Sequence, residues 1–191
     1  MEGGKVTDRR TQIAEAGVRI LASQGARALT HLTIDRDLDL PKGSTSYYAR
    51  TRHDLIALVV EHLATRVLDD LGTSPVPEQL TPESAARLVV AGLGITMRRE
   101  DEHRARLVLL LECRSDPELV ASLATRPKVR ETVVAEAGTL LRGLGIRRSD
   151  AHARDLAALM DALLMQRLIR TAEIDEEAVL TAYLRGLVSR C

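Results

Sequence analysis

The stretch from Thr30 to Leu55, THLTIDRDLDLPKGSTSYYARTRHDL, decides the fold. It reads as a short helix over about 31–38, a tight turn at Asp39-Leu40-Pro41, a second short helix over about 42–48, and the start of a third at Thr51. Leu38 and Leu40 can point back into a small core. Pro41 suits the first turn of a helix, where a missing N–H costs nothing. The run Lys42, Gly43, Ser44, Thr45, Ser46, Tyr47, Tyr48 spends consecutive positions on a cation, hydroxyls and two phenols. Such a face is poorly equipped for burial, but its groups are those used on phosphates and base edges. The pattern predicts a helix-turn-helix whose second helix enters a DNA major groove.

Upstream, Thr7 or Thr11 can cap a first helix with apolar positions at Ile13, Ala16, Ile20 and Leu21 and a stop at Gly25. Arg9 and Arg10 sit in its first turn, where cations oppose the helix dipole, so they are either solvated charge or phosphate contacts. Downstream, Thr51 and Asp54 form a shortened capping box. Leu55, Leu58, Val59, His62, Leu63, Val67 and Leu71 follow at helical spacing until Gly72. GTSPVPEQ is the one clear linker, which divides the chain into a head over 1–55, a connecting helix over about 51–71 and a body over 72–191.

Thr81-Pro82 starts the next helix with a cap and a proline at its first position. RREDEHRAR reads as a solvated turn or junction, and RLVLLLECR, apolar on all sides, as a central buried helix. Ser115-Asp116-Pro117 opens another helix, bent near Arg126-Pro127 and ending at Gly143-Leu144-Gly145. Two more cover about 149–171, capped by Ser149 or Asp150, and 175–190, capped by Asp175. No strand-like alternation is present, so the expected class is all-α, a helix-turn-helix head followed by a helical bundle.

The last two helices carry apolar stripes broader than one packing face needs. Leu156, Met160, Leu163 and Leu164 on the first, with Val179, Tyr183 and Leu187 on the second, form the expected dimer interface of two adjacent antiparallel helices. Asp161, within that stripe, either pairs across the dimer or points to solvent.

Composition narrows the function. The 27 Lys/Arg and 27 Asp/Glu balance, and residues 1–55 hold nine of the former against seven of the latter, so charge alone does not announce a nucleic-acid binder. With three Tyr and no Phe or Trp, the core must be aliphatic. Two cysteines make no disulfide framework: Cys113 reads as a small buried hydrophobe and Cys191 as an exposed terminal thiol. No apolar run is long enough to span a bilayer and no leader is read, which suggests a cytoplasmic protein without a membrane partner. The Gly-Leu-Gly segments at 92–94 and 143–145 lack the third glycine and preceding strand of a dinucleotide fingerprint. Glu100 and His103 make a single Glu-x-x-His, whereas a dimetal bundle needs two. No metal, cofactor or enzymatic activity is expected.

The block over about 7–70 resembles the DNA-binding domain of the tetracycline-repressor family of bacterial regulators. The resemblance rests on Gly25, Thr30, Ile34, Leu40-Pro41, Gly43-Ser44, Tyr47-Tyr48, Arg52 and Leu55, in register and without a gap. Three positions depart: Asp39 stands where the family usually has the turn glycine, Asp35 where it has a small residue, and Ala49 where it often has Phe. Asp tolerates positive φ better than most residues, so the turn can survive.

The resemblance implies DNA contacts from Thr30, His31, Lys42, Gly43, Ser44, Ser46, Tyr47, Tyr48 and Arg52. Lys42 would reach guanine or phosphate, Tyr48 and Arg52 the backbone, and Thr45 would face inward. Leu32 stands where an Arg often reads a base, leaving a thymine-methyl contact or none. The resemblance also implies a homodimer on a palindromic double-stranded operator, released by an unidentified small molecule bound among the middle helices. Candidate lining residues there are Met97, Glu112, Cys113, Met160, Met165 and Gln166. The expected function is therefore a ligand-responsive repressor. The alternative is a helical interaction protein, or an activator, that keeps the head fold without effector-controlled release.

Overall fold

The computed structural model describes residues 9–70, 77, 79–115, 127–146, 149–170 and 173–189. It is all-helical, with no strand among the described residues. The expected cap at Thr7, the end of the connecting helix at Leu71-Gly72, most of the linker, the break at Asp116-Pro117 and Cys191 lie outside them. By packing, the chain forms two compact units, one from 1–67 with 101–126 and one from 68–100 with 127–191.

The first unit begins with α1 (Arg9–Gln24), whose buried face carries Ile13, Ala16, Gly17, Ile20 and Leu21, the expected stripe with a glycine added. Gly25, at φ 80°, ends it. A 3₁₀ turn (Ala26–Ala28) leads to α2 (His31–Asp37), where Thr30 Oγ1 accepts from Thr33 N–H at 3.1 Å and so caps the helix. Asp39 follows at φ 50°, filling the left-handed turn position without a glycine. Then come α3 (Ser44–Tyr48) and α4 (Arg52–Asp70). The capping box before α4 is present in both directions: Thr51 N–H donates to Asp54 Oδ2 at 2.9 Å and Asp54 N–H to Thr51 Oγ1 at 3.0 Å.

Two sequence expectations shift here. Pro41 does not open the recognition helix; its carbonyl instead accepts from Ser44 N–H at 3.1 Å, so the helix begins at Ser44. Lys42 therefore lies in the turn before the helix, and Gly43, at φ 93°, is the N-cap. A left-handed N-cap is a position glycine fills without a Cβ penalty.

The core of this unit joins Ile13, Ile20, Leu21, Leu29, Ile34, Leu55, Ile56 and Val59 to Ala105, Leu109 and Cys113. The last three come from α6 (Glu100–Glu112) and the 3₁₀ turn after it (Cys113–Ser115). Each large side chain buried there contributes about 1.5–3 kcal/mol of transfer free energy. RREDEHRAR is thus a helix junction, not an open turn: it runs from a 3₁₀ turn (Met97–Arg99) into the first turns of α6. Nor is RLVLLLECR buried all round: α6 buries one face, while Leu110 and Leu111 are 42% and 70% exposed.

The second unit is built from α5 (Pro82–Thr96), α7 (Pro127–Gly143), α8 (Ser149–Ile169) and α9 (Glu176–Val188). Thr81 caps α5 in a capping box with Ser84, ahead of Pro82 at the first helical position. Asp175 Oδ1 caps α9 by accepting from Ala178 N–H at 2.9 Å. The principal neighbour of α8 is α7, and that of α9 is α5. The main partners of the last two helices are thus α7 and α5, and the two also share one core. A core of Ala85, Val89, Leu93, Leu140, Leu141, Leu156, Leu163, Leu180 and Leu184 fills the space between these helices. The Arg167 guanidinium binds both carboxylate oxygens of Glu176, Nε at 2.7 Å from Oε1, and also donates to the Val90 carbonyl, joining α8, α9 and α5. Pairing of this bidentate kind is the stronger form of the interaction.

Candidate nucleic-acid interface

A five-residue helix has almost no stability of its own, so the pose of α3 must be set by what holds it. The anchor at its start is Asp35, 2% exposed on α2. Its Oδ2 accepts from Gly43 N–H at 2.7 Å, and its Oδ1 accepts from Thr45 N–H at 2.9 Å and Thr45 Oγ1–H at 2.6 Å. Thr45 is fully buried and faces inward. Burial pushes the Asp35 carboxyl up, but hydrogen bonds from Thr45 and Gly43 and the nearby His31 outweigh it and hold the group below the ordinary aspartate range. A depressed carboxylate stabilises the fold above its unfolded pKa and loses that contribution as pH falls through the folded value, so the anchor is intact at neutral pH.

The far end of α3 is held by His31, whose Nε2 lies 2.7 Å from the Ala49 carbonyl. A carbonyl only accepts, so this nitrogen carries the proton. Ala49, standing where an aromatic was expected, is 2% exposed within the core, and Tyr48 packs against the same core. A hydrogen bond from α2 thus fixes the end of the helix that Ala49 closes.

The residues named as DNA contacts fall into two groups. Thr30 and Ser44 use their hydroxyls locally, Thr30 as the α2 cap and Ser44 in a 2.6 Å bond to the Pro41 carbonyl. His31 bonds Ala49, and Arg52 Nη2 donates to the Ala26 carbonyl at 2.7 Å, tying α4 to the 3₁₀ turn. These side chains, with Tyr48 packed on the core, build the head. Lys42, Gly43, Ser46 and Tyr47 form the second group. Lys42 and Gly43 are exposed, Ser46 is half-buried, and Tyr47 is 83% exposed with its ring edge-on to Tyr48 at 5.1 Å. Among the described residues no side-chain hydrogen bond engages Lys42, Ser46 or Tyr47. Leu32, 40% exposed, adds an apolar contact from α2. Asp35 was legible only as a departure from a family pattern; its donors ten and eight residues ahead are a tertiary fact.

The candidate ligand-lining residues are divided between the two units. Glu112 and Cys113 belong to the first unit, Cys113 in its core, whereas Met97, Met160, Met165 and Gln166 belong to the second. Met165 is 40% exposed. Among the expected interface residues, Leu156, Leu163 and Leu187 are 0%, 3% and 8% exposed and serve the core of their own unit. They are unavailable to a partner surface in this form. Met160, Leu164 and Tyr183 are half-buried at its edge, and Val179 is exposed. Ile169 and Val188 are also apolar and outward-facing, at 52% and 39% exposure. The Tyr183 hydroxyl is buried without a hydrogen-bond partner among the described residues; burial, then the charge of Asp155, pushes its pKa up. Asp161 pairs with Arg130 at 3.6 Å within the protomer. No group of three metal-ligating side chains converges among the described residues, and none of their helices is long and apolar enough to cross a membrane.

Residues 80–190 match the family model described as the tetracyclin repressor-like C-terminal domain. A solved member of the TetR family from Streptomyces coelicolor A3 is 25% identical, with a TM-score of 0.66 over 96% of this chain and 97% of that one. A transcriptional regulator from Rhodococcus sp. Rha1 shares the fold at a TM-score of 0.74 and 17% identity, covering 95% and 97% of the two chains. The multidrug binding protein EbrR, solved in complex with ethidium, is 25% identical at a TM-score of 0.65, covering 96% and 98%. No curated protein sequence matches the chain. With a family domain matched over more than half its length behind a helix-turn-helix head, the chain belongs to the tetracycline-repressor family of transcriptional regulators.

Proposed function

We propose that this regulator binds a palindromic operator in the cytoplasm as a homodimer, represses from it, and releases it when a small molecule binds the body. The observation that carries the reading is the anchored α3, which leaves Lys42, Ser46 and Tyr47 without a side-chain hydrogen bond among the described residues. Hydroxyls and the Tyr47 phenol position the head on phosphates, and Lys42, ahead of the helix, reaches a guanine edge or a phosphate. His31, Thr30, Ser44 and Arg52 act in this reading through the scaffold, with backbone N–H groups near them meeting phosphate. Two heads on a two-fold axis call for half-sites about one helical turn apart.

The functional division places the head at 1–55, the connecting helix at about 51–71, and the ligand-binding and dimerising body at 72–191. Against that division, α6 packs with the head core through Ala105, Leu109 and Cys113. A ligand that shifts α6 would therefore bias the head directly, which is the differential affinity between states that release requires. Met97, Met160, Met165 and Gln166 remain candidate lining residues on the second unit, and Glu112 and Cys113 on the first. EbrR binds ethidium, a planar aromatic cation. This chain has no Phe or Trp, and Tyr183 is its sole aromatic residue outside α3. An aliphatic or amphipathic effector suits such a lining better than one that needs stacking.

The test is the salt dependence of binding. In Lys42→Ala, operator affinity should fall by about tenfold, and the slope of log affinity against log salt should shrink by about one per subunit if Lys42 neutralises a phosphate. A base contact would instead relax specificity at one operator position with little change in slope. A module that binds a protein partner through this face would show no effect of the substitution on DNA at all.

A further inference from the structure

We infer that Asp35 is a positioning residue for DNA reading: its buried carboxylate grips the start of α3 with both oxygens and sets the pose of Lys42, Ser46 and Tyr47. The inference rests on the proposed role of α3 as the DNA-reading element and adds a residue that never touches DNA. Three donors converge on one carboxylate, Gly43 N–H on Oδ2 and the Thr45 N–H and Oγ1–H on Oδ1. Asp35 is 2% exposed and Thr45 fully buried, so water cannot replace these bonds. The left-handed Gly43 aims its N–H back at α2 rather than along α3.

The chemistry requires a carboxylate at this site. Both oxygens of Asp35 accept, one on each side of the N-terminal turn. Asparagine offers a single acceptor oxygen, and its amide nitrogen would face either the Gly43 N–H or the Thr45 pair as donor against donor. A small residue would leave the two buried Thr45 donors, and the part-buried Gly43 N–H, without their partner. The bonds run from α2 to the first turn of α3, so the clamp fixes the angle between the two helices. That angle decides where the outward side chains meet the groove. Loss of the clamp should weaken operator recognition more than general phosphate attraction, which tolerates reorientation.

The experiment compares wild type, Asp35→Asn, Thr45→Val and the core control Val59→Ala, all as full chains. Hydrogen–deuterium exchange of the peptide covering 42–48 is read without DNA. Affinity is read on the upstream intergenic duplex of the protein's own gene and on a scrambled duplex. In Asp35→Asn we expect at least about tenfold faster exchange in that peptide and about a tenfold loss on the specific duplex, with affinity for the scrambled one held within about twofold. Thr45→Val, which removes one of three donors, should show the same pattern at about threefold; it carries the test if Asp35→Asn fails to fold. Val59→Ala should lower the melting temperature while keeping the ratio of specific to scrambled affinity. Unchanged exchange, or faster exchange with the affinity ratio intact, overturns the positioning role alone. A wild-type protein that shows no preference for the specific duplex overturns the DNA reading, and the positioning role with it.

Discussion

Gly17→Ala is expected to destabilise the helix-turn-helix unit by about 1–3 kcal/mol, although a helix-interior glycine ordinarily gains about 1 kcal/mol on becoming alanine. A Cβ at Gly17 would overlap Val59 Cγ2 and lie 3.4 Å from Leu29 Cδ1. Val59 is fully buried on α4 and, being β-branched in a helix, has one strongly preferred rotamer, so it cannot swing aside. The close crossing of α1 and α4 therefore depends on the missing methyl. The remedy is specific. Val59→Ala alone leaves a cavity and should cost about 2 kcal/mol, but in the double variant the methyl introduced at position 17 occupies the vacated space. The double variant should then lose markedly less stability than the two single losses added together, a coupling readable in a double-mutant cycle of urea unfolding. A Gly17→Ala protein more stable than wild type would show that helix propensity, not the crossing, governs this position.

Ile169→Glu combined with Val179→Glu is expected to convert the proposed homodimer to monomer, raising its dissociation constant by at least about 100-fold. Both side chains are apolar and outward-facing in the protomer, at 52% and 40% exposure, so glutamate there costs the isolated subunit little. In an interface made by α8 and α9, two carboxylates per subunit would lose their water without gaining a partner. Sedimentation velocity at micromolar concentration should show one species of half the mass, with the helical circular dichroism unchanged. Operator affinity should fall with it, because each monomer keeps a single half-site. A double variant that stays dimeric would move the interface away from these helices.

Caps and turns were readable because their chemistry is local. Thr51 with Asp54, Thr81 with Pro82, and Asp175 each satisfy a helix N-terminus a few residues away, and each does so as expected. The α1 stripe was readable because Ile13, Ala16, Ile20 and Leu21 repeat with the helix. What escaped depends on partners distant in sequence. Asp35 looks like a misplaced charge until the turn folds Gly43 and Thr45 onto it. Gly17 looks like a weak point in a helix until α4 crosses it. RLVLLL carries no phase, since apolar residues at every position cannot say which face is covered, and α6 leaves Leu111 outward. The stripes of α8 and α9 announced burial without naming a neighbour, which is why Leu156 and Leu163, spent on the internal core, were grouped with surface positions such as Val179.

The most direct measurement is fluorescence anisotropy of the purified protein on the duplex upstream of its own gene and on a scrambled duplex, each at two salt concentrations. Saturable binding at a whole number of dimers per site is expected, with a preference for the upstream duplex that persists at the higher salt. Equal, weak binding to both duplexes that disappears at the higher salt would contradict it, leaving α3 as a surface for a protein partner.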